Sequence, residues 1–183
     1  MDLDRPYPAE WTVRQGLDAY LEENGFTMDG YDAPWTDASF LGIAFKVPNT
    51  KKHARAIRRH DLHHVATGFG TDLRGEAEIS AWEIAKGLDG IGLYVSGIVW
   101  SITLVGVVAW PKHVRSAWQQ GGGRLSSLVR GDGSLFQVDD YDGLLDMTIG
   151  ELRAKLGLPA DGLAGKRALH AKAPKTFARA AAA

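Results

Sequence analysis

Apolar residues return at helical spacing early in the chain, where Val13, Leu17, Tyr20 and Leu21 fall on one face. Thr12 and Gln15 form a capping box before that stripe, and Asn24-Gly25 ends it, which predicts a first helix. Residues 26–48 surround the apolar run Phe40 to Phe45 with Gly30, Pro34 and Pro48, a pattern shared by an extended loop and a short helix. From Thr50 to Thr67, Ala56, Ile57 and Val65 alternate with charged residues, which predicts a second helix stopped by Gly68 and Gly70. Thr71 or Asp72 can cap the next. Ile91 to Trp110 is a run of twenty uncharged residues, and a helix from Pro111 to Gln120 halts at Gly121-Gly122-Gly123. Leu125 to Val129 suits one more turn, and Ser134 to Val138 a loop or short strand. Thr148 with Glu151 caps a last helix through Leu156. The expectation is an all-α fold: a single helical domain over residues 1–160, with no internal repeat, followed by a tail over 161–183. The Ala, Lys and Pro composition of that tail predicts disorder.

On the second predicted helix, the polar positions carry chemistry. His60 and His64 stand at i and i+4, so their imidazoles share a face and can close on one cation. Asp61 lies about 100° round the helix from His60, close enough to bend towards that cation or to hold an imidazole N–H. After an eleven-residue gap Glu76 follows on the next helix, and the glycine turn would fold it back against the histidines. Ser80 and Glu83, at i+4 and i+7 from Glu76, keep that face polar. His63 points about 100° away from His64 and reads as a solvated or packing residue. His53, at i−7 from His60, reads as an exposed histidine, with accessory donor as the alternative. Asp72 and Glu78 read as helix-end or solvated charges.

The pattern His60-Asp61-x-x-His64, eleven residues, Glu76 resembles the metal motif of the coenzyme Q (ubiquinone) biosynthesis protein four family. Flanking segments are similar too: Val47-Pro48-Asn49-Thr50, Gly68, Thr71-Asp72, Gly75-Glu76-Ala77-Glu78 and Met147 to Arg153. The resemblance covers roughly residues 10 to 158. It implies a helical fold with a divalent metal held by His60, Asp61, His64 and Glu76, and with Asp61 and Glu76 as catalytic groups. Zinc is the metal implied; iron and manganese suit the same nitrogen and oxygen donors. It further implies a role in ubiquinone biosynthesis, in oxidative removal of the C1 carboxyl group of a polyprenylated hydroxybenzoate and in organising other pathway enzymes. The partners implied are a prenylated aromatic lipid, those enzymes, a membrane surface and a second copy in a homodimer. A non-catalytic prenyl-lipid scaffold with a structural metal is the alternative function, and a metal-dependent hydrolase a third.

Composition adjusts this picture at a few points. The absence of cysteine excludes disulfides, thiolate ligands and a cysteine nucleophile. A net charge of −1 gives no overall pull on nucleic acid, so none is expected as a partner. Two basic clusters break the neutrality, Lys51, Lys52, Arg55, Arg58 and Arg59 before His60, and Lys166, Arg167, Lys172, Lys175 and Arg179 in the tail; either suits anionic headgroups. Met1-Asp2-Leu3-Asp4 begins no signal or transit peptide, which predicts a cytoplasmic protein peripheral to the inner face of the membrane. Ile91 to Trp110 is long enough to span a bilayer. Its three glycines with Ser96, Ser101 and Thr103 instead favour a buried helix or one lining a groove for a lipid tail.

Overall fold

The computed structural model describes residues 6–40, 43–123 and 133–164. Seven α-helices dominate it: α1 (Val13–Asn24), α2 (Lys51–Thr67), α3 (Leu73–Lys86), α4 (Gly92–Ala109), α5 (Pro111–Gln120), α6 (Tyr141–Asp146) and α7 (Ile149–Lys155). Their ends follow the local chemistry of the chain. Thr12 with Gln15 and Thr148 with Glu151 close reciprocal capping boxes on α1 and α7. Thr50 and Asp72 accept the backbone N–H groups of His53 and Gly75 and so start α2 and α3. Gly25 and Gly68 end α1 and α2 in the left-handed region that other residues avoid.

Two stretches depart from the sequence expectation. Residues 26–48, read as an extended loop or a short helix, are chiefly a strand pair: a short 3-10 turn (Met28–Tyr31) leads into an antiparallel hairpin of β1 (Trp35–Phe40) and β2 (Ile43–Pro48), in register from Trp35–Pro48 to Phe40–Ile43. The fold is therefore mainly helical with one two-stranded sheet. The second departure is α6, which the sequence pattern did not signal and which Asp140 starts by accepting the Gly143 N–H. Ser134 to Val138 is a loop whose Leu135 and Phe136 are buried. The turn expected over Leu125 to Val129, the Met1–Asp4 leader reading and the basic cluster of the tail lie outside the described residues.

The core explains why α3 organises the site. Every residue from Leu73 to Ala85 is buried, with α4 and α5 packed along one side of the helix. The approach of α4 needs a glycine: a Cβ on Gly106 would lie 2.4 Å from the Ala77 Cβ. On the other side, α2 packs against α1 and α7 over Leu17, Leu62, Val65, Ile149 and Leu152. The buried guanidinium of Arg153 ties these layers together through the carbonyls of Tyr7, Ala66 and Ala160. Helix α4 is the one helix among the described residues long and apolar enough to cross a membrane by length and composition. It is not a buried core helix. Val95, Val99, Ile102, Thr103 and Gly106 face inward, while Leu93 is 94% exposed and Val108 86%.

Candidate metal centre

Helix α2 places His60 and His64 one turn apart, and the capped first turn of α3 carries Glu76 across to them. The two Nε2 atoms lie 3.1 Å apart. Glu76 completes a triangle, with Oε2 3.3 Å from His60 Nε2 and Oε1 3.5 Å from His64 Nε2. These three residues each offer one ligand atom, all within 4.8 Å of one another. His64 and Glu76 are buried, and 23% of the His60 side chain is exposed.

The remaining ring nitrogens determine what this triangle can bind. His64 Nδ1 lies 2.9 Å from the Phe69 carbonyl, which can only accept, so this nitrogen carries the proton and Nε2 presents its lone pair. His60 Nδ1 lies 2.8 Å from Glu83 Oε1, a carboxylate oxygen, with the same consequence. Two lone pairs and a carboxylate thus converge on one point. Such a set is unfavourable unless a cation or an added proton sits within it, and nitrogen with carboxylate oxygen suits a divalent metal of the zinc, iron or manganese type. Without a metal the proton goes to His60. Burial opposes its charged form, but the Glu83 and Glu76 carboxylates outweigh that and hold its pKa well above the usual imidazole value. Reciprocally, although burial would raise them, the facing histidines hold Glu76 and Glu83 down to about 2.

Asp61 sits in the wall of the same site, outside the three-donor triangle. Its Oδ2 accepts from the Tyr31 hydroxyl at 2.5 Å and its Oδ1 from the Tyr20 hydroxyl at 3.3 Å. Tyr20 in turn stacks on the His64 ring, centroids 5.5 Å apart. Asp61 lines the cavity itself, and its carboxylate is held by tyrosines from α1 and from the 3-10 turn, a pairing that no spacing in the sequence could reveal.

Other sequence readings change as well. Of the two readings of His63, solvated or packing, the structure shows packing: the ring is fully buried, its Nε2 accepts the Leu135 N–H at 3.1 Å, and its Nδ1 meets Glu83 at 2.7 Å. Burial lowers its pKa. His53 is buried, with its ring edge-on to Tyr94. Asp72 caps α3 as expected, but Glu78 is a fully buried charge facing Arg74. The basic cluster of α2 is partly spent internally: Arg55 pairs with Asp139, Arg58 with Asp32, and buried Arg59 binds the Val138 carbonyl. Lys51 and Lys52 are exposed.

The triangle stands at the polar end of a cavity of about 660 Å³. His60, Asp61, Glu76, Ser80 and Glu83 line that end, and Val95, Ile98, Val99 and Ile102 of α4 form an apolar wall, with Phe26 and Val47 also lining the cavity. A volume of this size suits a small-molecule ligand, and its walls demand one that is mostly apolar. No family model, curated protein or solved structure matches the chain.

Proposed function

We propose that this protein binds a divalent metal through His60, His64 and Glu76 and acts on a polyprenylated hydroxybenzoate in ubiquinone biosynthesis, in removal of the ring carboxyl group at C1 as carbon dioxide with a hydroxyl taking its place, dioxygen serving as the external two-electron oxidant. The observation that carries this reading is the convergence of two imidazole nitrogens and a carboxylate at the polar end of an otherwise apolar cavity. An amphipathic aromatic acid matches both halves. Its carboxylate would meet the metal, and its prenyl tail would lie along α4. The metal, when bound, supplies a Lewis acid that polarises the oxygen it holds. Glu76 and Asp61 are the carboxylates available for proton transfer beside it, and the hydroxyls of Tyr20 and Tyr31 hold the Asp61 carboxylate in place. Three protein donors leave a coordination position for a ligand, which favours a working site over the alternative, a lipid scaffold pinned by a closed four-ligand metal.

The same reading puts the protein on a membrane, where such a lipid resides. The outer face of α4 exposes Leu93, Leu104, Val107 and Val108, while its inner face walls the cavity. That helix would lie against the acyl region of the bilayer, with the cavity beside it, in a protein peripheral to the membrane.

Elemental analysis of the purified chain together with analysis of its extracted lipids tests the proposal. Stoichiometric zinc, iron or manganese with a prenylated aromatic supports it. A metal-free protein overturns the metal centre, and a plain acyl lipid with tightly held zinc favours the scaffold.

A further inference from the structure

Glu83 is placed too deeply and bonded too specifically to be a bystander of the triangle. It is fully buried on α3, two turns beyond Glu76, and its Oε1 receives two imidazoles, His60 Nδ1 at 2.8 Å and His63 Nδ1 at 2.7 Å. The proton on His63 Nδ1 is dictated from its other end, because the Leu135 backbone N–H donates to Nε2 at 3.1 Å and leaves that nitrogen an acceptor. His63 is held against rotation by edge contacts with Trp82 and Phe136, centroids 5.1 Å away in each case. A chain of fixed donors and acceptors therefore runs from the loop at Leu135, through His63 and Glu83, to His60.

We infer that Glu83 is a positioning residue of the metal centre, a carboxylate that His63 and the Leu135 amide lock in place so that His60 must present Nε2 to the cation. The inference rests on the metal-centre reading above. Its physical basis is general: a ligating imidazole whose other nitrogen donates to a carboxylate is fixed in tautomer and ring orientation, and is made a better donor. Here the carboxylate is itself oriented by a second, non-ligating histidine. His63 thereby acquires a role that its neighbourhood in the motif hides. Phe136, which packs on His63, also lines the ligand cavity, so the loop that fixes the metal ligand is part of the wall that meets the substrate.

The test is zinc titration of the full chain against a competing chelator, with the isosteric Glu83→Gln variant. The expected result is a 10- to 100-fold loss of affinity. Leu145→Ala, which removes a buried side chain of α6, a helix packed on α1 rather than on the helices that carry the ligands, serves as the control for lost stability and should bind zinc within about twofold of the wild type. Equal affinity of Glu83→Gln and wild type, or an equal loss in Leu145→Ala at matched melting temperature, overturns the inference. A second measurement needs no variant. Nitrogen-15 NMR of the zinc-bound wild-type protein should show His60 protonated at Nδ1 and ligated through Nε2, and the reverse arrangement overturns the clamp. If the wild type binds no zinc, iron or manganese, the metal-centre reading falls by itself. The metal-free spectrum still tests the clamp, since His63 must then be the Nδ1–H tautomer, and a His63 protonated at Nε2 overturns it.

Discussion

His60 and His64 face each other through Nε2 atoms 3.1 Å apart, and neither can donate to the other as a neutral ring, because each has its Nδ1 proton engaged elsewhere. The helix and their Nδ1 partners hold the two rings in this apposition, and the repulsion between the facing lone pairs is relieved by what lies between the nitrogens. In the metal-free chain that is a proton on His60; in the proposed loaded form it is a metal.

Removing a donor should therefore remove the metal. His64→Ala and Glu76→Ala are expected to give sub-stoichiometric zinc in elemental analysis, since two donors remain of the three. His63→Ala is expected to bind zinc more weakly and to melt at lower temperature than wild type. It deletes a fully buried ring and leaves the Leu135 N–H without its acceptor. Full zinc content in His64→Ala would sink the assignment of that ligand.

Asp61→Asn separates holding the metal from using it. The amide oxygen can still accept a tyrosine hydroxyl, and Asp61 is not part of the triangle. Zinc stoichiometry should be retained, while turnover of a prenylated hydroxybenzoate falls by at least about 100-fold, the low end of what one proton-transfer group contributes. Loss of zinc in this variant would make Asp61 a ligand.

Two pH effects with opposite signs follow from the same charges. Because the folded pKa of His60 lies above its usual value, the proton contributes stability to the metal-free protein below about pH 6.5, and that contribution is lost as pH rises through the folded pKa. Zinc must displace this proton, so zinc affinity should weaken as pH falls through the same value, with proton release on binding measurable by calorimetry in buffers of different ionisation heat. Glu76 and Glu83 behave in the other sense. Their folded pKa values of about 2 give stability that is present above the usual value of 4.5 and disappears as pH falls from there towards 2. Denaturant midpoints of the metal-free chain should drop across that acid window and stay flat there in a Glu76→Gln/Glu83→Gln double variant.

Membrane docking should depend on the outer face of α4 more than on charge, because Arg55 and Arg58 already pair with Asp139 and Asp32. Leu104→Glu/Val108→Glu removes two exposed apolar side chains, each contributing about 1.5–3 kcal/mol if buried in lipid. Vesicle flotation of this variant should fall by at least about tenfold relative to wild type, while 1 M salt should release only part of the wild-type protein. Complete release by salt would assign docking to the lysines instead.

Gly106→Leu tests the packing that brings α4 to α3. Its side chain would enter space held by Ala77 and Val114, and overpacking of this kind costs about 1–3 kcal/mol. A melting temperature equal to that of wild type would show that the helices can part without cost.

Helix ends and ligand spacing were legible in the sequence because both are local. Thr12, Thr50, Asp72 and Thr148 sit where caps must sit, and His60 and His64 share a face for any helix that contains them. The choice of strands for residues 35–48 was not local, since each strand exists through its partner across the hairpin. The same limit applied at the site. Sequence spacing brought Glu76 to the histidines, but it could not say that Asp61 would be engaged by Tyr20 and Tyr31, or that His63 would turn inward to share Glu83 with His60. Those pairings join residues 20 to 41 positions apart, and a hydrogen bond between such residues is decided by how helices pack. Sequence determined which side chains could carry metal chemistry; tertiary structure decided which of them converge on one point and which hold the others in place.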